Sequence, residues 1–165
     1  YNCMDEIVNQ EKKLEVQFDT VVVATGSGGT YAGLYLSNKI NDYGKKVVGF
    51  AVCDNNEYFT DVVINIGNEA LSYIGKTCDI IRDEITFIDK YVGIGYALST
   101  PDELSFINKI AMLEALILDP VYTGKAMKGL YEEIRTGNFK DSENILFIHT
   151  GGLFGLFPKQ NDFIF

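Results

Sequence analysis

Two short runs, Val21-Val22-Val23-Ala24 and Val47-Val48-Gly49-Phe50-Ala51-Val52, are almost wholly apolar and stand between stretches whose apolar residues recur every third or fourth position. Runs of this length and uniformity predict strands buried on both faces, whereas the flanking stretches predict amphipathic helices. The pattern gives a surface helix over about Cys3 to Glu15, with Met4, Ile7, Val8 and Leu14 on one buried stripe. A helix over Tyr31 to Tyr43 ends at Gly44, and a long one covers Tyr58 to Gly75. Ile85 to Ile88 reads as a third strand, and Pro101 suits the start of a helix over Asp102 to Leu116. Thr123 to Thr136 is a further helix stopped by Gly137-Asn138, and Asn144 to His149 is a last short buried strand. Apolar strands alternating with amphipathic helices imply an α/β fold: an open parallel sheet with helices on both faces. No repeat, low-complexity tract or linker interrupts residues 1–165, so they are expected to form a single α/β domain. The opening Met4-Asp5-Glu6-Ile7-Val8 looks like the interior of a helix, which implies a piece of a longer chain.

Composition narrows the function. With 165 residues, 47% hydrophobic and 22% charged, the chain can bury a core. Its net charge of -9 and its lack of a basic stripe argue against nucleic acid, because nothing would displace the counterions of a phosphate backbone. No apolar run is long enough for a membrane span and no signal peptide is evident, so a cytoplasmic location is expected. Cys3, Cys53 and Cys78 are odd in number and far apart, which fits reduced thiols better than a disulfide framework or a metal-ligand pair. His149, the sole histidine, lacks nearby ligand partners and is expected in the core or behind a site, with no metal.

The candidate chemistry lies in two glycine-rich loops that follow strands. Thr25-Gly26-Ser27-Gly28-Gly29-Thr30 combines backbone freedom with hydroxyls at the start of a helix, where free amides and the helix dipole attract a phosphate. The alternative is a tight turn kept for packing. A P-loop would need Lys followed by Ser or Thr where Tyr31-Ala32-Gly33 stands, which argues against a nucleoside triphosphate. A dinucleotide fingerprint from Gly26 would need glycine at Tyr31, although Asp54 after the second strand could imitate the ribose-binding acid. A small monophosphate needs neither feature.

Three motifs carry a resemblance. They are Ala24-Thr25-Gly26-Ser27-Gly28-Gly29-Thr30-Tyr31-Ala32-Gly33-Leu34, then Leu118-Asp119-Pro120-Val121-Tyr122-Thr123-Gly124-Lys125-Ala126-Met127, then Ile148-His149-Thr150-Gly151-Gly152. In order and spacing the chain resembles the fold type II pyridoxal-phosphate enzymes, within them the D-cysteine desulfhydrase and aminocyclopropane-carboxylate deaminase branch.

The resemblance implies pyridoxal 5'-phosphate as cofactor, with amides of Gly26, Ser27, Gly28, Gly29 and Thr30 on its phosphate and Thr150 against its pyridine nitrogen. It implies Tyr122 and Tyr96 as catalytic residues facing a small amino-acid substrate, and Thr123 and Gly151 as substrate-binding residues. Thr123 stands where the deaminase branch carries a glutamate, and a hydroxyl at Thr150 cannot balance a pyridinium as a carboxylate would. That favours β-elimination from D-cysteine or a related amino acid over opening of a cyclopropane ring. The lysine that carries the cofactor belongs to an N-terminal stretch of the family without a counterpart here, and Lys125 does not replace it. The resemblance therefore implies a fragment inactive by itself, from an enzyme that is commonly a homodimer. A deaminase or amino-acid dehydratase is the alternative within this class, and a non-catalytic nucleotide- or anion-binding module the alternative outside it.

Overall fold

The computed structural model describes residues 1–163. In chain order the elements are α1 (Asn2–Leu14), β1 (Thr20–Thr25), α2 (Gly29–Asn41), β2 (Lys46–Ala51), α3 (Asn56–Ile74), β3 (Thr86–Ile88), α4 (Pro101–Glu114), α5 (Thr123–Arg135) and β4 (Ile145–Ile148). Short 3₁₀ turns at Arg82–Glu84 and Leu153–Lys159, absent from the periodicity reading, complete the set.

The four strands form one parallel sheet in the order β3-β2-β1-β4, with β1 paired to both β2 and β4. Alternation along the strands divides the core between two faces. Val21, Val23, Val47 and Ala51 point toward α1, α2 and α3, where Met4, Leu34, Phe59 and Val63 bury them. Val22, Ala24, Val48, Phe50 and Val52 point the other way, onto Ala126 and Leu130 of α5 and Phe139. Every residue of β1 is buried, as a central strand with both faces covered requires. β4 is at the edge of the sheet, and its four residues are only half-buried rather than buried as the apolar run implied.

Element ends follow local chemistry. α4 opens on a capping box: the Thr100 hydroxyl accepts from the Glu103 amide at 3.2 Å, and the Glu103 carboxylate accepts from the Thr100 amide at 2.6 Å. Left-handed residues stop α2 at Asp42 and α4 at Ala115, short of the expected Tyr43 and Leu116. The stripe on α1 is also corrected. Met4 and Ile7 are buried, but Val8 is half-buried and Leu14 is 67% exposed in the last turn, where left-handed Glu15 leads the chain away. Glu11 takes the buried place instead, because Lys45 neutralises it at 2.6 Å and the Phe18 amide donates to it at 2.6 Å.

Tyr31 explains why the dinucleotide pattern breaks. That pattern uses a glycine there so that helix and strand can approach closely. Here a buried tyrosine fills the gap, donating to the Val47 carbonyl at 3.2 Å and accepting from the Thr86 amide at 2.8 Å, which ties α2 to the sheet.

Candidate active site

The chain runs outward from β1 through β2 to β3, then returns to place β4 on the other side of β1. Loops leaving β1 and β4 therefore diverge around a crevice at the carboxyl ends of the strands, the place where open α/β sheets bind ligands. A cleft of about 460 Å³ occupies it. Gly26, Ser27 and Thr30 of the loop after β1 form one wall and Thr150, Gly151 and Gly152 of the loop after β4 another, and Tyr96, Tyr122 and Ala24 complete the lining.

The first wall has the donors an anion cradle needs. Gly28 caps α2 in a left-handed conformation (φ 81) and no side chain caps the helix, so its first amides are free to bind a ligand. Beyond Gly29 the space is open, with no atom within 4 Å of where a Cβ would stand. Gly28 and Gly29 shape this turn, while the hydroxyl-bearing Ser27 and Thr30 line the cleft itself. No charged side chain lines it, so a bound anion would rest on amides, hydroxyls and the helix dipole. The donor set fits one phosphate monoester. Gly26 also makes room for Tyr122, since a Cβ there would lie 2.8 Å from the Tyr122 ring.

Tyr96 and Tyr122 meet hydroxyl to hydroxyl, with ring centroids 5.9 Å apart and edge-on packing. The hydrogen bond with Tyr96, followed by burial, pushes the Tyr122 phenol up to about 12, so it is a protonated donor at neutral pH. Cys53 stands behind Gly26, its thiol donating to the Gly26 carbonyl at 3.8 Å; burial and then the bond with Asp54 push the thiol up.

One expected site residue lies elsewhere. Thr123 is fully buried and does not line the cleft; its hydroxyl donates to the Asp119 carboxylate at 2.7 Å and accepts from the Asp119 amide at 2.9 Å. The first residue of α5 is turned inward because the buried carboxylate needs donors. Asp54, the imitation of a ribose-binding acid, is exposed with φ 52 and is not among the cleft residues.

Asp119 itself is a residue that motif reading passed over. Its fully buried carboxylate accepts from the amides of Val121, Tyr122 and Thr123, each at 2.8 Å, and from the Thr123 hydroxyl. These are the free donors of the α5 start, so Asp119 caps the helix and fixes the backbone of Tyr122. Gly152 rests on it: a Cβ there would fall 2.7 Å from the Asp119 Cγ, and the residue has φ 93. One carboxylate thus sets the Tyr122 backbone and the Gly152 loop against each other. Its signal in sequence was an acidic residue four before the helix start in an otherwise apolar stretch. His149, expected in the core or behind a site, is exposed at the end of β4. Its Nδ1 accepts from the Gly151 amide at 3.2 Å, so the proton sits on Nε2 and is donated to the Ile117 carbonyl at 2.9 Å.

Fold and crevice together define an α/β protein with an uncharged cleft between two glycine-rich loops at the strand ends, the place where such folds bind ligands. The chain belongs to the family of pyridoxal-phosphate dependent enzymes, whose family model matches residues 1–151 and therefore the first loop, both tyrosines and the second loop as far as Gly151. It is 42% identical over 146 residues to a protein of Arabidopsis thaliana named bifunctional D-cysteine desulfhydrase/1-aminocyclopropane-1-carboxylate deaminase, mitochondrial, covering 88% of this chain and 35% of that protein. It is 39% identical to the D-cysteine desulfhydrase of Yersinia enterocolitica, covering 94% of this chain and 46% of that one. A crystal structure described as an ACC deaminase homologue superposes with a TM-score of 0.85 at 39% identity, covering 97% of this chain and 46% of the other. The chain spans half or less of the length of the curated relatives it matches. Among the described residues no helix is long and apolar enough to cross a membrane.

Proposed function

We propose that these residues are the cofactor-phosphate and substrate-facing part of a pyridoxal-phosphate dependent enzyme that eliminates the β-substituent of D-cysteine or a related amino acid. The observation that carries the reading is the uncharged cleft shared by the Gly26 and Thr150 loops and lined as well by two hydrogen-bonded tyrosines. Amides at the start of α2, with Ser27 and Thr30, would hold the cofactor phosphate, and Thr150 and Gly151 would meet its ring. The cofactor, when bound, takes up the electron pair left as the substrate loses its α-proton.

This chain's residues bind and orient. The protonated Tyr122 phenol, held by Asp119 at its backbone and by Tyr96 at its hydroxyl, is suited to donate to the substrate carboxylate or to the departing sulfur. Cleavage of the Cβ–S bond leaves the electron pair on sulfur, so D-cysteine and water yield pyruvate, ammonia and hydrogen sulfide. With no carboxylate among the cleft residues, the ring nitrogen would meet only a hydroxyl, which suits loss of a good leaving group more than opening of a strained ring. Lys125 is not proposed as the cofactor lysine, since its ammonium is spent on backbone carbonyls. The lysine is expected from another part of a longer enzyme, and the 165 residues alone are expected to bind the phosphate weakly and turn nothing over.

Sulfide release from D- and L-cysteine by the full-length enzyme tests the proposal; release from D-cysteine is expected, and none from either isomer would sink it. The relative named for both activities favours a second reading, deamination of 1-aminocyclopropane-1-carboxylate, which the same enzyme preparation would reveal as ammonia formed from that compound.

A further inference from the structure

The loop that carries Tyr96, between β3 and α4, belongs to no helix or strand, and within it Gly93, Gly95 and Ala97 have φ of 72, 140 and 56. Left-handed backbone at Ala97 is disfavoured for a residue with a side chain and persists only where surroundings impose it. Turn hydrogen bonds within the loop, such as that from the Leu98 amide to the Gly95 carbonyl at 3.3 Å, are joined by one buried charged group behind it. Lys125 is 2% exposed, and its ammonium donates to the carbonyls of Val92 at 2.5 Å and Gly95 at 2.6 Å. Burying an ammonium against carbonyls is costly, and burial pulls the Lys125 pKa down while Glu103 and Cys53 oppose it. An apolar side chain would fill the same space at less cost, so the amino group is there for the two carbonyls it fixes.

Tyr96 follows Gly95 directly, and Tyr122 stands three residues before Lys125 at the start of α5. One end of one helix therefore holds the loop backbone through Lys125 and presents Tyr122 to the side chain of Tyr96. We propose that Lys125 is a positioning residue, whose ammonium holds the 92–98 loop in the one conformation that sets the Tyr96 hydroxyl on Tyr122. Its consequence for turnover rests on the cofactor reading above; the loop geometry does not.

The test is amide hydrogen exchange, followed by mass spectrometry in the cofactor-free full-length protein, for Lys125→Met, Lys125→Gln, Tyr96→Phe and the control Lys128→Met. Loss of a charged donor shared by two carbonyls should speed exchange in peptides covering 92–98 by about tenfold or more in Lys125→Met, and less in Lys125→Gln, which keeps an N–H donor. The remaining peptides should be unchanged, and Tyr96→Phe and Lys128→Met should leave the loop near its original rate. Unchanged loop exchange in both Lys125 variants would overturn the proposal. Exchange raised evenly along the chain, or failure of both variants to fold, would overturn it too, by making Lys125 a core residue only. In the loaded enzyme, Lys125→Met and Lys125→Met/Tyr96→Phe should lower kcat to the same level, since the lysine acts through the tyrosine. If unchanged protein fails to bind a vitamin B6 phosphate while the loop responds as described, the cofactor reading fails and the role of Lys125 stands.

Discussion

Replacing Asp119 by alanine removes the acceptor shared by three backbone amides and one hydroxyl, all between 2.7 and 2.8 Å from it. The amides of Val121 and Tyr122 are partly exposed and can turn to water, so their loss resembles that of a helix cap, about 1–2 kcal/mol. The Thr123 amide and hydroxyl are buried and would be left without an acceptor, at about 1–3 kcal/mol. The sum is about 2–5 kcal/mol, a large part of the roughly 5–15 kcal/mol that holds an ordinary domain together. Asparagine keeps one oxygen and turns an NH₂ toward donors on the other side, so Asp119→Asn should cost about half as much. Urea unfolding followed by circular dichroism reads both values from the shift in midpoint at constant slope. A loss below about 1 kcal/mol for alanine, or no loss for asparagine, would refute the claim that a buried charge organises the start of α5.

Gly152→Ala should destabilise by about 1–3 kcal/mol and weaken binding of the cofactor ring, because the new Cβ meets Asp119 at 2.7 Å in a residue with φ 93; equal thermal midpoints would contradict this. Tyr122→Phe should lower kcat of the full-length enzyme by about 10²-fold with folding stability nearly unchanged, measured by steady-state kinetics beside thermal melting. Glu133 is buried, which raises its pKa, but hydrogen bonds from Lys90, Tyr91 and Asn138 outweigh that and hold it below its ordinary 4.5. Its stabilising contribution is therefore full above pH 4.5 and lost as pH falls through the lower folded value, so Glu133→Gln should flatten the acid limb of the stability curve.

The sheet was legible because buried parallel strands leave an unmistakable trace: Val21 to Ala24 and Val47 to Val52 have no polar side to turn outward. The glycines after β1 and β4 marked the two loops, and the rule that such loops flank a crevice brought Gly26, Ser27, Thr30, Thr150 and Gly151 to one place. Charges in the interior were not legible. Glu11, Asp119 and Lys125 each look solvated in sequence, and each is buried because a partner distant in the chain or in the backbone satisfies it. The orientation of Thr123 was not legible for the same reason: the resemblance implied a place facing the substrate beside Tyr122, and the hydrogen bonds of Asp119 turn its side chain inward. The exposure of Leu14 and the half-burial of β4 depend on what lies beyond an element's end or edge, which periodicity within the element does not record.

Pyridoxine 5'-phosphate shares the phosphate and ring of the cofactor but has an alcohol in place of the aldehyde, so it cannot react with surface lysines. Titrating it into the isotopically labelled chain while following backbone amides by NMR puts both loops under one observation. Shifts at Gly26 to Thr30 and at Thr150 to Gly152 that saturate together are expected; shifts at one loop without the other, or at neither, would contradict a shared cofactor site.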